Sequence, residues 1–283
     1  MAVVADGADE RERGGSVVTG WDTHEPQSNG NLHCSVTLPL VTTLLHLSDL
    51  HLDDDLARGR LDRALRILPP SRRPDLIVIT GDLADHGRRE EYVDLVSAMR
   101  GDIPWIVCPG NHDDPALMAQ VLGWDQSGAM SLDVDDVRVV ALDVTVPGED
   151  HGHLRPEVTD AAFRAAEDAE NVVLALHHPP VPLGHEYADS IGLSNPTALG
   201  DLVIALPRTR LVVTGHVHTA LATTFAGRPV VGAPSLAAAL RPDPAARPLT
   251  DAGSAPGVAL HELGPDGVRS SFHYAWDAAT SAA

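Results

Sequence analysis

Leu44-Leu45-His46-Leu47-Ser48-Asp49-Leu50-His51 is an apolar run that ends in a carboxylate and an imidazole two positions apart. Taken alone, an Asp-x-His at a strand end is more often a capped turn than a metal site. The arrangement recurs four times downstream. Leu76-Ile77-Val78-Ile79 leads to Gly81-Asp82, and Trp105-Ile106-Val107-Cys108 leads to Gly110-Asn111-His112. Val172-Val173-Leu174-Ala175-Leu176 leads to His177-His178-Pro179-Pro180, and Leu211-Val212-Val213 leads to Gly215-His216-Val217-His218. Continuous apolar runs of this length read as strands buried on both faces. In an open α/β sheet their carboxyl ends converge on one crevice, so side chains far apart in sequence would meet there. Two metal ions are the natural occupants.

Between the runs, 56–68 and 90–99 read as helices, with Pro69-Pro70 and Pro104 standing between elements where proline belongs. Strands alternating with helices imply βαβ units. The middle changes character: 130–134 and 137–142, separated by Asp135-Asp136, read as a hairpin, and 157–168 as a helix. After His218 come short β segments at 221–225, 229–231, 258–262 and 268–273, joined by Gly/Pro/Asp turns. They suggest a second sheet packed on the first, hence an α/β layered sandwich of two mixed sheets with helices outside. The segment 241–256 reads as an exposed loop. Residues 1–40 show no apolar period and read as a disordered tail, leaving 41–283 as a single domain without internal repeats.

The chain has 283 residues and a formal charge of −20, from 40 acidic residues against 20 arginines and no lysine. Such an excess repels a polyanion, so a nucleic acid polymer is not expected as partner. A small anionic substrate remains allowed, because bound divalent cations can reverse the local field inside an acidic cleft. No apolar stretch approaches the roughly 20 residues that span a bilayer. The stretch 1–10 has neither a basic n-region nor an apolar h-region, and the expected location is cytoplasmic. Cys34 and Cys108 are too few for a disulfide framework and are expected as free thiols.

In an extended chain leaving a strand, Asp49 and His51 would point to one side and reach one ion, and His216 and His218 repeat that spacing. The Asp82 carboxylate has two oxygens and can bridge two metals, with Gly81 permitting a tight turn before it. Asn111 offers a neutral carbonyl oxygen. Oxygen and imidazole donors without thiolate suit Mn, Fe, Zn or Co.

The five blocks, written D-x-H, G-D-x-x-D, G-N-H-D, H-H-P-P and G-H-x-H, span roughly Val41 to Val231 and resemble those of the calcineurin-like metallophosphoesterase superfamily. Leu142-Asp143 with Val146-Pro147-Gly148, and Asp189 with Ile191-Gly192-Leu193 and Asn195, resemble the bacterial class III cyclic-nucleotide phosphodiesterases within it. The resemblance implies a four-layer metallophosphoesterase-type sandwich. It implies Asp49, His51, Asp82 and His218 on one ion and Asp82, Asn111, His177 and His216 on the other. His177 is preferred to His178 because related phosphatases keep an H-x-P order in which the first histidine is the ligand. If the chain is extended there, only one of the two faces the cleft.

His112 resembles the family histidine that stabilises the transition state and protonates the leaving alkoxide, a task that suits an unperturbed imidazole pKa of about 6.5. Two ions roughly 3.5–4 Å apart would share and activate the attacking hydroxide. The implied function is hydrolysis of a small phosphodiester, foremost 3′,5′-cyclic AMP to the nucleoside 5′-monophosphate. The alternatives are a phosphodiesterase or phosphatase on another small phosphoester, such as a glycerophosphodiester or a nucleotide-linked lipid, and a metal-binding regulatory scaffold. A homodimer is compatible with all three.

Asp85, the last Asp of its block, is expected to accept backbone hydrogen bonds that shape the loop. His151-Gly152-His153 reads as solvated loop rather than a substrate-contacting lid. His185 and Tyr187 are placed near the pocket mouth, and His24, His33, His261 and His273 are read as surface or core histidines.

Overall fold

The structure, a computed structural model, describes residues 41–99 and 101–276. The expected tail, with Gly14-Gly15, His24, His33 and Cys34, lies outside the described residues.

The first half alternates strand and helix: β1 (Thr42–Leu47), α1 (Asp55–Leu65), β2 (Leu76–Thr80), α2 (Arg89–Ala98), β3 (Trp105–Cys108) and α3 (Pro115–Leu122). A hairpin of β4 (Ala129–Val134) and β5 (Val137–Leu142) follows, then α4 (Pro156–Ala166), β6 (Asn171–Ala175), α5 (Glu186–Ser190), α6 (Pro196–Ala205) and β7 (Thr209–Thr214). The chain ends in β8 (Leu221–Phe225), β9 (Arg228–Gly232), β10 (Ala239–Leu240), β11 (Thr250–Asp251), β12 (Gly257–Gly264) and β13 (Gly267–Tyr274).

Two mixed sheets result. The first runs β13-β12-β1-β2-β3, with β1, β2 and β3 parallel and β12 and β13 antiparallel. The second runs β4-β5-β6-β7-β9-β8, parallel from β5 to β9 with antiparallel edges. Side-chain alternation assigns the faces. Val139 and Ala141 of β5, Val173 and Ala175 of β6, and Leu211 and Val213 of β7 share a core with the first sheet and helices α1 to α3. The intervening Val140, Leu142, Val172, Leu174 and Val212 join a second core with α4 and α6. These strands are buried on both faces, which is why they read as unbroken apolar runs. A one-residue slip would exchange the two faces, so the packing fixes the register that places each strand end.

The expected sandwich is observed, but the segments after His218 do not form the second sheet by themselves: β8 and β9 extend the sheet of β4 to β7, and β12 and β13 extend the sheet of β1 to β3. Helix α1 begins one residue earlier, capped by Asp54, whose carboxylate accepts the Ala57 N–H at 2.8 Å, and it stops at Leu65, short of Pro69-Pro70. Helices α3, α5 and α6 were not expected. Two of them open on a cap-proline pair, Asp114-Pro115 and Asn195-Pro196, which is a start signal. The segment read as exposed loop carries β11, which pairs with β10. The buried Arg60 of α1 ties it down, donating to the carbonyls of Leu236, Ala252 and Ser254. Cys108 is a buried free thiol, its pKa pushed up by burial and by nearby Asp113.

Candidate metal centre

The ends of β1, β2, β3, β6 and β7 bring Asp49, His51, Asp82, Asn111, His177, His216 and His218 together. They do so in sharp turns, not in extended chain. Asp49, His51, Asp82, His216 and His218 all have left-handed backbones, with φ of 53°, 45°, 48°, 70° and 50°. Each such residue costs about 1–2 kcal/mol, and strain of this kind collects where a site must be held. The same-side placement expected from extended geometry is thus reached through left-handed turns at these five residues. The strand ends also crowd one another. A methyl group on Gly110 would collide with Asp82 Oδ1, and one on Gly215 with Ser48 Oγ.

One donor from each of Asp49, His51, Asp82 and His218 falls within 4.8 Å of the others. His51 Nδ1 donates to Asp85 Oδ1 at 2.8 Å and His218 Nδ1 donates to the Ala238 carbonyl at 2.8 Å. Both therefore turn Nε2 inward, and these two nitrogens lie 3.2 Å apart. His218 Nε2 is 3.4 Å from Asp49 Oδ1, and His51 Nε2 is 3.5 Å from Asp82 Oδ2.

A second set adjoins the first across Asp82. His177 Nδ1 donates to the Thr80 carbonyl at 2.6 Å, which leaves Nε2 at 3.3 Å from Asp82 Oδ2 and 3.3 Å from His216 Nδ1. Asn111 Oδ1, Asp49 Oδ2 and His216 Nε2 are buried without a hydrogen-bond partner. His178 belongs to this set too. Its ring lies 4.9 Å from that of His177 and 4.3 Å from that of His216, Nε2 donates to the Asp150 carbonyl at 3.0 Å, and Nδ1 is buried without a partner. The expectation that one of the two histidines turns away from the cleft is corrected, because the chain bends at 177 and 178 rather than running on as strand.

The carboxylates set the electrostatics. Burial pulls the His51 and His177 imidazoles down. It is outweighed for His51 by Asp85, Asp82 and Asp49, and for His177 by Asp82, Asp49 and the Thr80 carbonyl, which raise both to about 9. Burial, then the neighbouring His177, pushes His178 down to about 3, and burial with His178 holds His216 well below its usual value. The field that holds protons on His51 and His177 is one that equally suits a cation.

His112 borders the pair of sets. Its backbone N–H donates to Asp82 Oδ1 at 3.0 Å, its Nδ1 donates to the Asp85 carbonyl at 2.8 Å, and its ring stands edge-on to His51 at 4.6 Å. Asp85 does not accept backbone N–H groups as expected; its carboxylate orients His51. That loop-shaping task falls to Asp113, the last residue of the Asn111 block, which accepts from Leu83, Ala84 and Gly110 at 3.1, 3.1 and 2.9 Å. Burial, then Asp82, pushes Asp113 up to about 6. Ser235 was also missed: its hydroxyl accepts from Ala237 and Ala238 and donates to the Asp49 carbonyl, shaping the turn that presents Ala238 to His218.

A cavity of about 240 Å³ opens over these groups, and His112, Asp150, Tyr187, Ile191 and Leu240 are among its walls. His151, His153 and His185 are not. His151 stands 3.8 Å from Glu149, His153 binds Ser194, and His185 caps α5. Asp143 and Asp189 serve loop architecture, through Arg155 and Thr145 and through the Leu183 and Gly184 amides. A larger groove of about 670 Å³, lined by Leu65, Leu68 and Met99, holds none of the candidate donors.

Two mixed sheets with carboxylate and imidazole donors gathered at their parallel strand ends define a metallophosphoesterase architecture. The fold is shared with a dimetal phosphatase from Danio rerio at a TM-score of 0.63 and 15% identity, covering 84% of this chain and 98% of that one. The chain belongs to the calcineurin-like phosphoesterase family, whose model matches residues 42–220. It is 36% identical over 209 residues to a cAMP/cGMP dual specificity phosphodiesterase of Mycobacterium tuberculosis, over 66% of this chain and 65% of that protein. It is 30% identical over 206 residues to the glycerophosphodiester phosphodiesterase GpdQ of Enterobacter lignolyticus, over 64% of this chain and 73% of that protein. Among the described residues no helix is long and apolar enough to cross a membrane.

Proposed function

We propose that this chain is a dinuclear metal-dependent phosphodiesterase acting on a small phosphodiester, foremost a 3′,5′-cyclic nucleotide such as cAMP, with a nucleoside 5′-monophosphate as product. One observation carries the metal reading. His51 and His218 have each committed Nδ1–H to an oxygen, so their Nε2 atoms face one another at 3.2 Å. Such a contact needs positive charge between the two nitrogens, which the proton on the raised His51 supplies in the free protein and a metal ion would supply in its place; the unpartnered Asp49 Oδ2 lies in the same donor set and the unpartnered Asn111 Oδ1 in the second one.

In this reading Asp49, His51, Asp82 and His218 would hold one ion, and Asp82, Asn111, His177 and His216 the other. Oxygen and imidazole donors suit Mn, Fe, Zn or Co. When bound, such ions polarise the phosphoester and bring an attacking water towards a neutral pKa. The chain's own groups do the rest. Asp85 and the Thr80 and Ala238 carbonyls fix the imidazole tautomers, and His112, its Nδ1–H tied to the Asp85 carbonyl, presents Nε2 to the cavity and, as the imidazolium, gives the Nε2 proton to the departing alkoxide and is left neutral.

The walls favour a diester. No arginine is among the described residues lining the cavity, so beyond the histidines and the proposed ions a monoester dianion finds no further side-chain cation there, whereas a diester carries a single charge. Tyr187, Ile191 and Leu240 offer an apolar wall to an organic substituent. The GpdQ relative favours a second reading, a glycerophosphodiester, at the same centre. The test is hydrolysis of 3′,5′-cAMP, glycerophosphodiesters and bis-p-nitrophenyl phosphate by chelator-treated protein with and without added Mn, products identified by phosphorus NMR. The expected result is metal-dependent release of nucleoside 5′-monophosphate. Full activity in metal-free protein sinks the metal reading, and a rate confined to glycerophosphodiesters moves the substrate to the second one.

A further inference from the structure

A row of polar side chains crosses four adjacent strands of the first sheet and ends beneath His177. Ser270 Oγ of β13 is 2.8 Å from His261 Nδ1 of β12, His261 Nε2 is 3.1 Å from His46 Nδ1 of β1, and His46 Nε2 is 2.8 Å from Thr80 Oγ1 of β2. Both histidines are fully buried, and burial holds His46 well below its usual pKa and His261 at about 3. Each is therefore neutral with a single N–H, and every ring nitrogen in the row has a partner.

Such a row is not needed for cohesion. Replacing both partners of a buried hydrogen bond by apolar groups of like shape is close to neutral for stability, whereas a satisfied network fixes orientation. What it orients is Thr80. The Thr80 carbonyl accepts from His177 Nδ1 at 2.6 Å and from Ser48 Oγ at 3.0 Å. That carbonyl belongs to the peptide joining Thr80 to Gly81, and Gly81, with φ of 83° and no side chain, does little to hold the peptide plane. The Gly81 carbonyl accepts the Asp49 N–H at 3.2 Å, and on the other side of the peptide Thr80 is tied to His46 through its side chain.

We propose that the His261–His46 pair is a positioning device that pins Thr80, whose carbonyl aims the His177 imidazole at Asp82 Oδ2 and His216. The proposal rests on the metal reading above. Histidine packing within the sheet thus reaches a metal-facing nitrogen in the opposite sheet without touching substrate.

The experiment uses the full chain with His46→Leu and His261→Leu combined, titrated with Mn by calorimetry beside a thermal melt and a steady-state assay. Two Mn should still bind, one about tenfold more weakly, the lower end for loss of a supporting contact. The rate constant kcat should fall with that affinity, KM should move less, and Tm should stay within a few degrees. Thr80→Val, which keeps both histidines, should repeat the loss, and Thr80→Ser should restore it. Wild-type Mn affinity and kcat in the double variant and in Thr80→Val overturn the proposal, as does a loss that only tracks unfolding at the assay temperature. If the double variant does not fold, Thr80→Val decides alone. Failure of the wild-type protein to bind Mn removes the metal reading instead, so the two failures are distinguishable.

Discussion

Asp82 Oδ1 accepts the backbone N–H of His112 at 3.0 Å, so the residue between the two donor sets also places the proposed general acid. With Oδ1 so engaged, Oδ2 is the oxygen left to face His51 Nε2 at 3.5 Å and His177 Nε2 at 3.3 Å. In the proposed reading one carboxylate would thus couple the spacing of two ions to proton delivery.

Asp82→Ala should therefore be the most damaging single change in the site, lowering Mn content below two equivalents and kcat further than alanine at any other donor. Elemental analysis of purified variants and their rates on bis-p-nitrophenyl phosphate check this ranking. Wild-type metal content and rate in Asp82→Ala would show that the bridge is misassigned.

His112→Ala should keep both metals and lose rate in proportion to how much its leaving group needs a proton. General acid catalysis contributes typically about 10²–10⁴-fold where the leaving group is basic. The loss should be large with a cyclic nucleotide, whose leaving group is an alkoxide, and small with p-nitrophenolate. Equal losses on the two substrates would refute the acid role and leave electrostatic stabilisation.

The five blocks were legible because each pairs a run buried on both faces with a polar strand end, a local signal repeated in one order. Their backbone was not. Left-handed Asp49 and Asp82 lie where glycines let the strand ends close in, Gly215 against Ser48 and Asp49 and Gly110 against Asp82, which no spacing rule encodes. The exchange of roles between Asp85 and Asp113 was hidden for a related reason: both close acidic blocks, and only the fold decides which meets amides and which meets His51. Ser235 reaches the Asp49 carbonyl, and Arg60 the carbonyls of Leu236, Ala252 and Ser254, across long stretches of sequence through turns that meet only in three dimensions.

Acid should destabilise this protein through His46 and His261. Both have folded pKa values depressed by burial, His261 to about 3, against about 6.5 when unfolded. Between those values the unfolded chain binds protons that the folded chain does not. Their contribution is therefore complete above about pH 6.5 and is lost as pH falls below it, for His261 over the range down to about 3, by up to about 1.4 kcal/mol per pH unit for one histidine. Urea unfolding across that range should show a shallower acid slope for the His46→Leu/His261→Leu protein than for wild type. Parallel slopes would mean that neither histidine is kept neutral by the fold.

The neighbouring histidines His177 and His178 should separate by what their outer nitrogens hold. His177 Nδ1 is bound to Thr80 and its Nε2 faces Asp82 and His216, so His177→Ala should cost one metal equivalent and nearly all turnover. His178 Nε2 is bound to the carbonyl of Asp150, a residue of the cavity wall, and its ring packs on that of His216 at 4.3 Å. His178→Ala should therefore keep close to two metals while freeing the 149–152 segment, with a loss of about 10–100-fold, as for removal of a supporting contact. That loss should include a raised KM, because the wall it releases lines the substrate cavity. Metal analysis and full kinetics on both purified proteins decide the matter. If His178→Ala is the variant that drops a metal, its unpartnered Nδ1 is the ligand and His177 the support, and the assignment of the second ion shifts by one residue.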